Sequence, residues 1–168
     1  MSDFKTNLND NRLAEEAAHG LDGVIDKTDP KHSKHLYGLV VQYEDIDAGG
    51  IVYHSTYLNF AERARSALLR ASKFDVQYWL AEENQGFVIT HIETDYLSPA
   101  KLHNRLIVET SCLQLGGASA LLQQNINSFD RGHIFARVMV KAAWVDIELG
   151  PRKFPEPLQT VLRSFQPK

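Results

Sequence analysis

One long amphipathic helix, set between segments that favour strands, constrains this chain more than any other feature. From Tyr57 onward, apolar residues recur at Phe60, Ala61, Ala64, Ala67, Leu68 and Ala71, while Glu62, Arg63, Arg65 and Arg70 take other positions. Steps of three and four residues gather the apolar set into one helical stripe, and its alanines permit a close neighbour. Ser55 or Thr56 is placed to cap the start. Before the helix, His35 to Tyr43 (HLYGLVVQY) is rich in strand formers, and Glu44 to Gly50 (EDIDAGG) reads as a loop. A shorter helix is expected from Val76 to Glu83, capped by Asp75.

After Gly86 the pattern changes. Phe87 to Tyr96, Arg105 to Leu115, Ser119 to Ser128 and Ile134 to Asp146 read as strands. Gly116-Gly117 and Asp130-Arg131-Gly132 are natural hairpin turns, and Ser98-Pro99 marks a further connection. Leu149-Gly150-Pro151 ends the sheet, and Glu156 to Phe165 suits a closing helix. A strand, a long helix and then four strands in meander predict an α+β fold, with one antiparallel sheet curled around a central helix. Such a sheet keeps an edge strand and favours sheet-to-sheet pairing of copies. Residues 1–33 are polar without a clear period and predict a mobile leader, with a helical turn around Leu13 to Ala18. Residues 34–168 then hold the domain.

Composition excludes several functions. The formal net charge of −3 over 168 residues argues against a nucleic-acid surface. No apolar run approaches the roughly 18 residues that cross a bilayer. The first residues lack the basic start and apolar stretch of a secretory signal. Cys112, the single cysteine, cannot form an intramolecular disulfide and sits in an apolar run as a small buried residue. These features suit a reducing, cytoplasmic setting. Apart from His54, the histidines (19, 32, 35, 91, 103 and 133) are scattered, with no His-x-x-x-His or Cys-x-x-Cys pair and no phosphate-cradling glycine loop. The expected chemistry uses no metal and no redox cofactor.

The chemistry-bearing stretch is Tyr43 to Arg65, YEDIDAGGIVYHSTYLNFAERAR. Asp45 and Asp47 precede two glycines, and Tyr53-His54 stands at the helix start. A carboxylate is thereby set near helical N–H groups that lack internal partners. Those groups and the helix dipole favour an anionic oxygen, an arrangement suited to acyl transfer. An aspartate in this position also serves widely as a cap or turn residue, and His54, Tyr53 and Tyr57 have structural readings too.

The run Asp45-Ile46-Asp47-Ala48-Gly49-Gly50-Ile51-Val52-Tyr53-His54, with Tyr57 and Glu62-Arg63-Ala64-Arg65, closely resembles the Tol–Pal-associated acyl-CoA thioesterases of the 4-hydroxybenzoyl-CoA thioesterase superfamily. Phe87-Val88 and Tyr96-Leu97-Ser98-Pro99-Ala100 continue the likeness, which spans His35 to Val161. The resemblance implies a single hotdog fold, a long helix wrapped by a curved antiparallel sheet, with copies joined edge to edge as a homodimer or homotetramer. It places the catalytic carboxylate on Asp47 and the family histidine on His54, with Gly50, Val52, Tyr53 and Tyr57 near the substrate and Glu62 in a supporting place. Ile46 departs from the pattern, since relatives usually carry a small hydroxyl residue or Cys there.

The implied reaction is hydrolysis of a short-chain or aromatic acyl-CoA, with acyl-carrier protein as an alternative carrier. Asp47 either attacks the carbonyl or deprotonates a water, with the carbonyl near the His54 N–H. Lys101, Arg105, Arg131, Arg137, Lys141, Arg152 and Lys153 are candidates for the CoA phosphates. The competing readings are a hydratase or dehydratase on the same fold, whose helix motif is not found, and a non-catalytic acyl-CoA-binding protein of cell-envelope assembly.

Overall fold

The computed structural model describes residues 12–29, 31 and 33–167. In chain order its elements are α1 (residues 12–19), β1 (Val24–Asp26), β2 (Lys34–Val40), α2 (Thr56–Ala71), α3 (Val76–Glu82), β3 (Gln85–Tyr96), β4 (Arg105–Leu115), β5 (Ser119–Ser128), β6 (Ile134–Asp146), β7 (Gly150–Pro151) and α4 (Glu156–Ser164). The strands form one antiparallel sheet in the order β1-β2-β4-β5-β6-β3, with β7 paired to β6. This is the α+β, curved-sheet architecture expected from the helix and strand pattern. No helix of the described residues is long and apolar enough to cross a membrane.

The predicted stripe of α2 is the one that is buried. Tyr57, Phe60, Ala61 and Ala64 meet Leu106, Val108, Ile126, Val138 and Val140 of the sheet. Toward the far end of α2, Leu68 joins a second cluster with Trp144, Phe154, Leu158 and Phe165, which α4 closes. Asp75 caps α3 as expected, its Oδ1 accepting from the Tyr78 N–H at 3.0 Å. Ser55 holds the N-cap position of α2 but makes no side-chain capping bond.

Two expectations are corrected. The four strands after α2 are not one meander. β4, β5 and β6 are, but β3 pairs with β6, from Gln85 opposite Asp146 to Tyr96 opposite Ala136. Tight turns force β4, β5 and β6 to be neighbours, whereas the longer link at residues 97–104 permits β3 to cross to the far edge. Alternation along a strand reveals its faces and not its neighbours.

The mobile-leader expectation also fails over residues 12–26. Leu13, Ala14 and Ala17 pack on Leu36 and Ile107, whose chain neighbours Tyr37, Leu106 and Val108 belong to the α2 side. Side chains alternate along a strand, so α1 covers the sheet face opposite α2. Gly38 permits this approach, because a Cβ there would lie 2.5 Å from the Ala18 Cα. β1 extends the sheet beside β2, and Asp22 Oδ1 accepts from Arg70 Nε of α2 at 2.6 Å. Residues 1–11 of the expected leader lie outside the described residues.

A Gly38→Val protein should lose about 1–3 kcal/mol of stability, the scale of overpacking. Amide exchange should quicken selectively in residues 12–19; unchanged exchange there would refute the close approach.

His35 is fully buried. Its Nε2 bonds to the Asp22 carbonyl at 2.7 Å, and its Nδ1 has no partner among the described residues. Burial lowers its pKa, against the raising effects of that carbonyl and the Asp22 charge, and Arg70 adds a smaller lowering effect. The neutral ring is therefore favoured in the fold. Its stabilisation is present above the unfolded pKa of about 6.5 and is lost as pH falls below it. Denaturation midpoints measured at pH 7 and pH 5 should drop more for wild type than for His35→Phe, and parallel drops would contradict this.

Candidate active site

The loop before α2 folds back on itself. The Asp47 N–H donates to the Ile51 carbonyl at 2.9 Å and the Gly50 N–H to the Asp47 carbonyl at 3.0 Å. Ile46 and Val52 pair as an antiparallel bridge. Gly50 takes a φ of +74°, a conformation that costs glycine little. Asp45 is buried and shapes the entry, its Oδ2 accepting from the Gln42 N–H at 2.8 Å and its carbonyl from the Tyr53 N–H at 2.9 Å. Ile46 packs against the core beneath the loop, so this departure from the family pattern exchanges a polar contact for an apolar anchor.

Within this frame Asp47 Oδ1 accepts from the Gly49 N–H at 2.7 Å, an Asx turn. The bond orients the carboxylate and leaves its second oxygen without a partner among the described residues.

The β3–β4 connection ties the loop to the helix. The Val52 N–H donates to the Ala100 carbonyl at 2.9 Å, and the Ala100 N–H donates to the Tyr57 hydroxyl at 3.0 Å. Burial raises the pKa of that hydroxyl, which keeps it neutral. The Tyr96 hydroxyl donates to the His54 carbonyl at 3.0 Å and so holds the peptide entering α2.

These contacts enclose an open groove of about 420 Å³ lined by Asp47, Ile51, Val52, His54, Tyr57, Tyr96, Leu97, Ser98 and Pro99. Of the residues singled out in the sequence, Asp47, Val52, His54 and Tyr57 meet here. Gly50 shapes the turn without lining the groove, and Tyr53 lies beside the His54 ring at 4.3 Å. Glu62 lies further along α2, ion-paired with Arg65. Arg65 Nη1 donates to Gln124 Oε1 at 2.7 Å, and buried Gln124 donates in turn to the Ala61 carbonyl at 2.8 Å. Glu62 and Arg65 border a separate, mostly apolar cavity of about 80 Å³ with Leu69, Phe87, Leu122 and Leu162.

The sequence pattern gave Tyr96 as a strand end and Ser98-Pro99 as a connection, and missed their place in the groove wall. The signal available was the position of this motif at the end of a strand, where loops carry sites. Cys112 is buried away from the groove, and burial pushes its thiol up to about 11. Among the phosphate candidates, Arg105 pairs with Glu15, Arg131 with Asp26 and Glu109, and Arg152 with Asp146. Lys101 stands beside the Asp47 loop through its bridge to Ile51. No group of three or more His, Cys, Asp or Glu among the described residues could hold a metal ion.

A family model described as the thioesterase-like superfamily matches residues 41–162, a span that contains the loop, α2 and every residue of the groove. The chain belongs to the thioesterase-like superfamily. Among its thioesterase-like relatives, a Haemophilus influenzae protein named acyl-CoA thioesterase YbgC is 39% identical over 127 residues, covering 75% of this chain and 92% of the relative. A structure described as a probable thioesterase from Bartonella henselae is 30% identical with a TM-score of 0.68, covering 73% of this chain and 99% of the other. A Synechocystis 1,4-dihydroxy-2-naphthoyl-CoA thioesterase structure shares the fold, with a TM-score of 0.73 at 21% identity, over 77% of this chain and 96% of the other.

The clamp between loop and helix should be measurable. Tyr57→Phe leaves the buried Ala100 N–H without its acceptor and should cost about 1–3 kcal/mol in denaturant unfolding. An unchanged midpoint would show that the hydroxyl contributes nothing.

Proposed function

We propose that this chain hydrolyses the thioester of short-chain or aromatic acyl-CoA to the free acid and CoA, with Asp47 acting on the carbonyl directly or through a water. Thioester hydrolysis itself follows from the family and from relatives named as acyl-CoA thioesterases. One observation carries the finer reading: the Asp47 carboxylate, oriented through one oxygen, shares a groove with the start of α2. The His54 and Ser55 amides there meet no acceptor among the described residues. A thioester carbonyl seated at those N–H groups would have its developing oxyanion stabilised by them and by the helix dipole. Asp47 would then stand on the attacking side. His54 orients the carboxylate or the substrate, Val52 and Tyr57 form the apolar wall, and Glu62 supports from its pair with Arg65.

The partner in this reading is a second copy. β3 is an open edge strand, with Val88, Ile89, Ile92 and Tyr96 exposed, whereas β1 covers the edge of β2. An open apolar edge is a template for pairing, which fits a homodimer or a tetramer assembled from one. A cytoplasmic setting suits CoA as carrier and Cys112 as a free, buried thiol.

The test is thiol release from a panel of acyl-CoA and acyl-carrier-protein thioesters. Wild type should release CoA from short-chain or aromatic members. Asp47→Asn should lower kcat by about a hundredfold or more, the scale of an acid–base group, while melting as wild type does. An Asp47→Asn protein with full turnover overturns the assignment, and binding without release favours a non-catalytic protein.

A further inference from the structure

Ser98 of the groove wall belongs to a hydroxyl–imidazole pair with His133, which the proposed reaction leaves unused. Ser98 lines the groove, and its Oγ lies 2.5 Å from His133 Nε2. The two are far apart in sequence and meet because the Leu97 and Ser98 N–H groups both donate to the Phe135 carbonyl, at 2.9 and 3.1 Å. The following Pro99 favours extended backbone at Ser98.

His133 is held as firmly. Its N–H donates to Ser128 Oγ at 3.0 Å, and its ring packs edge-on against Phe135 with centroids 4.8 Å apart. Asp130 is the acidic group beside it. Ser128 first, then Gly132, hold the Asp130 carboxyl below its usual range, and the charge of His133 adds to this.

We propose that Ser98, backed by His133, delivers the proton with which the thiol leaves. The proposal rests on the thioester-hydrolase reading of the groove. Water adds to the carbonyl carbon while Asp47 takes its proton, and the carbonyl electron pair moves onto oxygen at the α2 start. When the intermediate collapses, the C–S bond breaks with its electron pair on sulfur. The Ser98 hydroxyl gives its hydrogen to that sulfur and receives the Nε2 proton of His133. The exposed His133 ring then regains a proton from solvent. If Asp47 attacks the carbonyl itself, the C–S step is the same. The resting acceptor of the Ser98 hydroxyl is weak, the Ile134 carbonyl at 3.4 Å, so a departing thiolate competes for it easily.

Ser98 is thus assigned a catalytic role and His133 a positioning one. The test compares two esters of one acyl group: its CoA thioester, and an aryl thioester whose acidic thiol needs no proton to leave. In Ser98→Ala and His133→Asn, kcat for the CoA ester should fall about tenfold to a hundredfold with KM within about twofold. The ratio of alkyl to aryl turnover should fall at least tenfold. Ser98→Thr, which keeps the hydroxyl, should restore the ratio. Equal losses on both esters mean that the pair only shapes the groove, and unchanged kinetics mean that it does nothing; either overturns the proposal. Asp47→Asn run beside them separates the two readings. If it retains turnover the Asp47 role fails, whereas if it is inactive and the ratio is unmoved in both pair variants, only the Ser98 role fails.

Discussion

Close contact between α2 and the curved sheet is the constraint on which the rest depends. Ala61, Ala64 and Ala67 are fully buried at that contact, and each keeps the helix low over the strands. A larger side chain would raise α2 and open a gap that dispersion forces cannot bridge. The same surface admits one polar bridge, in which buried Gln124 joins the Ala61 carbonyl, Thr110 Oγ1 and Arg65. A buried amide is tolerated only when its partners are present, so Gln124 fixes the helix in register as well as in height.

From that register the site follows by backbone contacts. With α2 low on the sheet, the Tyr57 hydroxyl reaches the Ala100 N–H, and the Ala100 carbonyl reaches back to the Val52 N–H. One peptide unit thereby joins the helix, the β3–β4 connection and the Asp47 loop. Main-chain bonds of the loop, the Tyr57 hydroxyl and the Gly49 N–H to Asp47 Oδ1 together hold the carboxylate in place.

The sequence made some of this legible and hid the rest for identifiable reasons. The 3.6-residue period exposed α2, and the glycine turns exposed β4 to β6, because both signals are local. Asp47, Val52, His54 and Tyr57 could be grouped because they stand close together in sequence, on the loop and the first turn of α2. The position of β3 was invisible, since a strand pattern contains no information about which edge it joins. The helical turn around Leu13 to Ala18 was legible, but its packing was not, because only Leu13, Ala14 and Ala17 are buried in a segment otherwise polar. A usable sign did exist in Gly38, as a glycine inside a strand often marks close backbone approach. The Ser98–His133 pair had no local signature, since the register between the end of β3 and the start of β6 creates it.

The two sheet edges give the crossing of β3 its meaning. β1 and α1 occupy one end of the sheet, so apolar edge surface is left at β3. There Ile89, Ile92 and Tyr96 share the sheet face of Ala142, Val140 and Ala136, yet stay exposed because α2 covers the strands further in. Tyr96 belongs both to that edge and to the groove wall, next to Leu97. The groove consequently opens onto the edge strand. Had β3 paired with β4 as a simple meander, Tyr96 could not have reached the His54 carbonyl while its strand formed the sheet's border. The topology that sequence pattern could not foresee is thus what sets the groove beside the edge strand β3.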